Sequence, residues 1–349
     1  MTNDNQKVRW GVLGTANFGR TILPAMQRCQ FAKVSAVASR SLGSAKAYAK
    51  ELAIPKAYGS YEEILSDPEI DAIYIPLPNH MHLGPAKLAL EAGKHVLCEK
   101  PGAVNLNEGK KIIEAVKEAG VFYMEGFMYR CHPQIPKLLE IIKNKTIGEI
   151  ESIETSFGYD TGKTIPESRI FNKELTGGAI LDVGLYPISF SRLISGAATG
   201  EKFLEPKFIN AEGRIGDTGV DEVAHANLEF KNGIKAKVST AIRENMKNNA
   251  IISGSEGTIE LPDPWMPGRN GGPYHAKIII NKNSQEEVID LKGPEHLFFF
   301  EAELVSQCIA KEKIQPPHPA MTWEDTLGNL KALDTWRDMI NYKLPQDEI

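Results

Sequence analysis

Cysteine is scarce: Cys29, Cys98, Cys131 and Cys308 are scattered over 349 residues, and no two form a C-x-x-C pair. That spacing argues against a disulfide framework and a zinc knuckle, and reads most of the thiols as small buried hydrophobes. Long apolar runs are missing, since none approaches the roughly 18 residues of a membrane span. The opening "MTNDNQKVRW" lacks the apolar core of a secretory signal. The chain is therefore expected in the cytoplasm, with no membrane partner. Basic excess is missing too. With 40 Lys and Arg against 45 Asp and Glu, the net charge of -5 makes no electrostatic case for nucleic acid. His80 and His82 of "PNHMH" have no neighbouring carboxylate or thiolate to complete a ligand set, so no metal is expected. Internal repeats and low-complexity tracts are absent.

What is present is an ordinary globular composition, 42% hydrophobic and 24% charged, on a chain longer than one hydrophobic core usually organises. Two domains follow as the expectation. The first part alternates. "KVRWGVLG" is a strand ending at glycine, the stretch from Gly19 to Arg28 is helical, "KVSAVASR" is a strand and "GSAKAYAKEL" a helix. The pattern continues through "YEEILSD", "DAIYIPL", "GPAKLALEAG", "HVLCE", "NEGKKIIEAVKEAG" and "VFYMEGF". Strands alternating with helices imply a parallel sheet covered on both faces. After about Arg130 the grammar changes to one helix, "QIPKLLEIIKN", then period-two stretches such as "IESIETSFGY", "HANLEFKNGIKAKVSTAI", "IISGSEGTIELP" and "AKIIINKNSQEEVIDL". The turns "KNG" and "SEG" between these runs suit an antiparallel sheet. The chain ends helical, with "TWED" read as a capping box of Thr322 and Asp325, followed by the core stripe Leu327, Leu330, Leu333 and Trp336. The loop "PDPWMPGRNGGPYH" reads as a plain connection more readily than as a flap.

"GTANFG", Gly14 to Gly19, follows the first strand and opens the first helix, where a dinucleotide fold places a pyrophosphate on a helix N-terminus. Ala16 stands at the middle glycine of G-x-G-x-x-G, where backbone approaches phosphate, so a tight structural turn stays open as an alternative. At the end of the second strand, Ser39 and Arg40 replace the Asp or Glu that would accept from an NAD ribose. A guanidinium and a hydroxyl suit a 2′-phosphate, so NADP(H) is expected over NAD(H). The same carboxyl edge carries "PLPNHMH" and "EKP". The expected cofactor contacts there are Gly14, Thr15, Ala16, Asn17 and Phe18 of the loop; Ser39 and Arg40; Leu77, Pro78, Asn79 and His82; and Glu99 and Lys100. Asn79 is also a candidate helix cap.

Lys100 falls where a nicotinamide would lie and needs a partner that moves a proton. In "GGAILDVGLYPISFSRL", Asp182 and Tyr186 are four apart in a helical pattern and share a face. A free tyrosine, with a pKa near ~10, is a poor base at neutral pH, and a nearby ammonium favours its phenolate. Lys100, Asp182 and Tyr186 together would make an acid-base relay. Read singly, Tyr186 is equally a core tyrosine and Asp182 a polar helix residue.

The glycine loop, "EKP" at Glu99 to Pro101 and "GGAILDVGLYP" at Gly177 to Pro187, occurring in that order, resemble the glucose-fructose oxidoreductase, inositol dehydrogenase and rhizopine-catabolism (Gfo/Idh/MocA) family over essentially the whole chain. The resemblance implies an α/β Rossmann domain with a parallel sheet over residues 1–126. It implies a second, α+β domain with an open, mainly antiparallel sheet over 127–349, whose last helix can pack back on the first domain. The active site would lie in the cleft between them, and subunits would pair as a homodimer or tetramer through the second sheet. It further implies a Lys100–Pro101 cis bond, with Lys100 at the nicotinamide. Tyrosine at position 186 and "EGFMYRCHPQ" resemble the branch of dimeric dihydrodiol dehydrogenase and the NADP-dependent aldose dehydrogenases. That likeness implies Tyr129 and Arg130 near the nicotinamide or substrate, and brings Arg169 and Phe171 of "ESRIF" in as substrate contacts, with Phe157 a further pocket candidate whose direction the sequence leaves open; a surface salt bridge for Arg169 and a core aromatic for Phe171 remain equal readings. The expected activity is hydride exchange with a sugar-like alcohol or carbonyl. The competing expectation is an inactive NADP-sensing regulator of the same fold, against which the intact Lys100, Asp182 and Tyr186 set speaks.

Overall fold

The structure is a computed structural model that describes residues 7–268 and 273–348. The residues 1–6 read above for a signal sequence, and positions 269–272 of the loop after Trp265, lie outside the described residues. The first domain runs β1 (Val8–Leu13), α1 (Gly19–Gln27), β2 (Ala32–Ala38), α2 (Leu42–Glu51), β3 (Lys56–Tyr58), α3 (Tyr61–Leu65) and β4 (Ala72–Ile75). It continues with α4 (Leu83–Glu91), β5 (His95–Glu99), α5 (Leu106–Ala119) and β6 (Tyr123–Gly126). The six strands form a parallel sheet in the order β3-β2-β1-β4-β5-β6. Strands such as β4 are buried on both faces, which is why they read as unbroken apolar runs. Ser41, Ser60 and Asn105 cap α2, α3 and α5 by accepting an amide in the first turn.

The second domain follows with α6 (Met128–Cys131), α7 (Gln134–Lys143), β7 (Ile150–Gly158), a turn of π-helix (Ile180–Gly184) leading into α8 (Leu185–Ala197), β8 (Lys207–Ile215), β9 (Asp221–Glu229) and β10 (Lys235–Ala241). Then come β11 (Ala250–Gly254), β12 (Gly257–Leu261), β13 (His275–Lys282), β14 (Gln285–Lys292), α9 (Leu297–Ala310) and α10 (Trp323–Met339). Its eight strands form one open sheet, β14-β13-β12-β11-β7-β10-β9-β8, antiparallel except where β7 and β10 run parallel. One face packs on α8, whose residues from Leu185 to Gly196 are all buried. β8 carries no signal in the sequence reading: it is an edge strand exposed along most of its length, so no apolar alternation marks it.

The "TWED" box is half right. Thr322 accepts from the Asp325 amide at 3.3 Å, but the Asp325 carboxylate turns inward to two arginines instead of closing the box. α10 packs on α5, where a Cβ on Gly109 would come within 2.5 Å of Leu330.

Candidate functional site

The carboxyl ends of β1, β4 and β5 open onto a cleft of about 350 Å³. Its first wall is the turn after β1. Gly14 has φ +92°, and a Cβ there would stand 2.7 Å from Leu77 Cδ2. At the other end of the turn, a Cβ on Gly19 would sit 2.2 Å from the Tyr48 hydroxyl, which donates to the Ala16 carbonyl at 2.9 Å. Ala16, Asn17 and Phe18 line the cleft. No side chain caps α1 at Phe18 and no acid stands in its first turn, so the helix N-terminus keeps its partial positive charge for an anion. Thr15 lies half-buried in the turn. The second wall is Pro76, Leu77, Pro78 and Asn79. Asn79 Nδ2 also donates at 3.4 Å to the Thr176 carbonyl of the second domain, bridging the two domains.

Ser39 and Arg40 follow β2 on the same edge. Ser39 N donates to the Tyr58 carbonyl at 3.2 Å. Arg40 is exposed and makes no ion pair among the described residues. It faces Tyr61, whose phenol burial pushes up and Arg40 pulls back. With Gly14 unable to carry a side chain, α1 uncapped and this guanidinium unpaired, these residues fit a dinucleotide phosphate chain.

Lys100 stands at the cleft floor after β5, with Glu99 beside it and a cis bond to Pro101. Its Nζ donates to the Asp182 backbone carbonyl at 2.6 Å and lies 5.3 Å from the centre of the Tyr186 ring. Burial lowers the Lys100 pKa, with Asp182 opposing that shift. Burial raises Glu99, whose carboxylate accepts from the Tyr74 hydroxyl at 2.7 Å. The Asp182 carboxylate sits between Arg169 Nη1, at 2.9 Å, and the Tyr159 hydroxyl, at 2.5 Å. Burial alone would raise Asp182, but Lys100 and Arg169 outweigh it and hold the group below the ordinary carboxylate range.

Tyr186 differs from expectation in two ways. Its hydroxyl faces Met128 Sδ at 3.3 Å, so it touches neither Lys100 Nζ nor the Asp182 carboxylate. Its ring packs among Phe127, Tyr129, Phe157 and Trp265 at centroid separations of 5.3 to 5.9 Å. Burial, reinforced by Glu99 and Asp182, pushes its phenol well above the ordinary value. The expected lowering by Lys100 is therefore not realised in this arrangement, because a cation over the ring face is outweighed by loss of water around the oxygen.

The structure brings Lys100, Asp182, Arg169 and the Tyr186 ring together with the glycine turn, and leaves several expected contacts outside. Arg130 is 1% exposed and fully engaged by Asp325, the Pro319 carbonyl and Ser189, so it does not reach the cleft. His82 is wholly buried, and its two ring nitrogens lie 2.7 Å from the Pro101 and Leu77 carbonyls. It ties the two cleft loops together from behind. Tyr129 gives its hydroxyl to Ser189, Phe157 stacks on Trp265, and Phe171 is buried, so all three belong to the packed interior. Tyr159 was missed. The signal was its period-two spacing from Phe157 at the end of β7, which puts both on one sheet face. Among the described residues no three His, Cys, Asp or Glu side chains are grouped to hold a metal.

Residues 8–127 match the oxidoreductase family with an NAD-binding Rossmann fold, and residues 135–260 match the GFO/IDH/MocA C-terminal domain. Trans-1,2-dihydrobenzene-1,2-diol dehydrogenase of Mus musculus is 32% identical over 98% of this chain and 99% of its own. The uncharacterized oxidoreductase ORF334 of Rhizobium meliloti is 33% identical over 94% and 95%. KijD10, a 3-ketoreductase from Actinomadura kijaniata solved with NADP and TDP-benzene, superposes with a TM-score of 0.84 at 28% identity, covering 96% of this chain and 98% of that one.

Proposed function

The chain belongs to the GFO/IDH/MocA oxidoreductase family, and from that premise we propose that it is an NADP(H)-dependent oxidoreductase interconverting a carbohydrate-like alcohol and its carbonyl, an aldose at its anomeric carbon or a cyclic trans-diol. The observation that carries this reading is Lys100, an ammonium at the floor of a cleft walled by a glycine turn, tethered to Asp182 and lying over Tyr186. A KijD10 complex containing NADP and the unpaired Arg40 support NADP(H) over NAD(H). The division of the chain is taken at 126 and 127, the working compartment as the cytoplasm, and the assembly as a homodimer or tetramer paired through the eight-stranded sheet.

The nicotinamide, when bound, supplies the hydride acceptor or donor. The other tasks fall to the chain. Lys100, held by the Asp182 carbonyl, positions the substrate oxygen. Burial weakens the hold of Lys100 on its own proton, which favours sharing it with that oxygen. Tyr186 is the proposed acid-base group, and its raised pKa keeps it a proton donor, the state needed for carbonyl reduction. Asp182 holds Arg169 across the mouth of the cleft, where the rest of the guanidinium faces the substrate side.

Calorimetric titration of the protein with NADP+ and NAD+, followed by a screen of aldoses and cyclic diols at the NADPH absorbance, tests the reading. Tighter NADP+ binding with turnover supports it. Binding without turnover on any alcohol transfers the protein to the sensing role, and equal affinity for both nucleotides removes the assignment of Arg40.

A further inference from the structure

Resting on this reading of the site, we propose that Asp221, at the start of β9, is a positioning residue that fixes the onset of the helical segment bearing Asp182 and Tyr186, and thereby the carbonyl that holds Lys100. Asp221 is 0% exposed and touches neither the cleft nor Lys100. Its Oδ2 accepts the Ile180 amide at 2.8 Å, satisfying one of the free donors at the head of that segment. Its Oδ1, without a hydrogen-bond partner among the described residues, presses on the adjacent turn, where a Cβ on Gly178 would lie 2.0 Å away. Gly178 also has φ +102°, so the turn accepts glycine alone on two independent grounds.

The same turn is gripped from three further directions. Tyr342 donates its hydroxyl to the Gly177 carbonyl at 2.8 Å, Thr240 to the Ala179 carbonyl at 3.2 Å, and Asn79 to the Thr176 carbonyl at 3.4 Å. Five consecutive residues, 176 to 180, are thus held or restricted by side chains from outside their own segment. Asp182 follows two residues later, with its amide on the Gly178 carbonyl at 3.2 Å and its own carbonyl on Lys100 Nζ at 2.6 Å. A change at Asp221 therefore reaches Lys100 through a short run of backbone. Burial pushes the Asp221 carboxyl up to about 7, so the protein retains a poorly solvated acid where an isosteric amide would be easier to bury.

The test uses Asp221→Ala in the full-length protein, with hydrogen–deuterium exchange of the 177–182 segment, NADP+ affinity by calorimetry and steady-state kinetics. The expected result is exchange in that segment faster by about tenfold. In kinetics, kcat falls about tenfold while KM and NADP+ affinity stay within about twofold, because only alignment is disturbed. Unchanged exchange overturns the proposal, and so does faster exchange with unchanged kcat, which would make Asp221 structural only. Should the wild-type protein turn over no alcohol, the proposed activity fails while the exchange measurement still decides the role of Asp221. If Asp221→Ala does not fold, Tyr342→Phe removes one grip on the same turn; a smaller rise in exchange is expected, and none would overturn the proposal.

Discussion

Two buried carboxylates in this protein are each held below the ordinary carboxylate range by two nearby cations, and they differ in how those cations are committed. Asp325 is flanked by Arg130 and Arg192 with all three side chains at 0 or 1% exposure. Asp182 is bound by Arg169, whose side chain is 51% exposed, and by Tyr159, while Lys100 holds its backbone carbonyl instead. In the first arrangement the terminal guanidinium nitrogens are committed: Arg130 also binds Pro319 and Ser189, and Arg192 also binds Glu205. This network joins α6, α8 and α10, and none of Arg130, Arg192 and Asp325 is more than 1% exposed. In the second, part of the guanidinium and the ammonium face a cleft. Charge composition alone does not distinguish a brace from a site; the uncommitted donors do.

Removing one arginine from each cluster should separate them most widely. Arg130→Met strands a buried charge and is expected to cost about 3–5 kcal/mol in urea denaturation, whereas Arg169→Met should cost about 1 kcal/mol or less because Arg169 is itself half in water and the buried Asp182 carboxylate keeps the Tyr159 hydroxyl and the nearby Lys100 ammonium. Equal losses would break the comparison. Turnover should sharpen it from the other side. Lys100→Met and Tyr186→Phe are each expected to lower kcat by about 100-fold or more while leaving the melting temperature and NADP+ affinity near wild type. Unchanged turnover in Tyr186→Phe would sink its acid-base assignment. A smaller effect is expected at Arg40→Ala, about tenfold weaker NADP+ binding with NAD+ unaffected, read by calorimetry.

The smallest effect is in pH. Burial raises Asp325, but its two arginines outweigh that and hold it below the ordinary carboxylate range. An acid depressed in the folded state binds fewer protons there than in the unfolded chain. Its contribution is therefore complete above the unfolded pKa and disappears as pH falls through the folded one. Denaturation midpoints should be insensitive to this group near neutrality and decline below about pH 4. Asp325→Asn should flatten that decline, and an equally steep acid limb in the variant would assign it to other carboxylates.

Much of this was legible in the residues. Alternating strands and helices, the turn from Gly14, Lys100 after a strand and Asp182 four before Tyr186 are local patterns, and local geometry places them without further information. Other expectations depend on partners that local patterns do not show. Arg130 and Tyr129, which the family resemblance places near the nicotinamide or substrate, spend their polar atoms on Asp325 and Ser189, 195 and 60 residues away. Phe157 packs on Trp265, and His82 lies against the Leu77 and Pro101 carbonyls. Tyr159 shares a period-two spacing with Phe157, but that spacing gives only a sheet face; that Asp182, 23 residues later, meets its hydroxyl is a tertiary fact.

By itself the sequence determined the class of each half, the carboxyl edge on which chemistry gathers, and the residues able to ionise there, because periodicity, glycine geometry and side-chain pKa are properties of short segments. Which arginine is spent and which is free, where the Tyr186 hydroxyl points, and how Asp221 grips a turn 41 residues before it were decided only by tertiary structure. Burial and hydrogen-bond partnership depend on what the rest of the chain brings alongside.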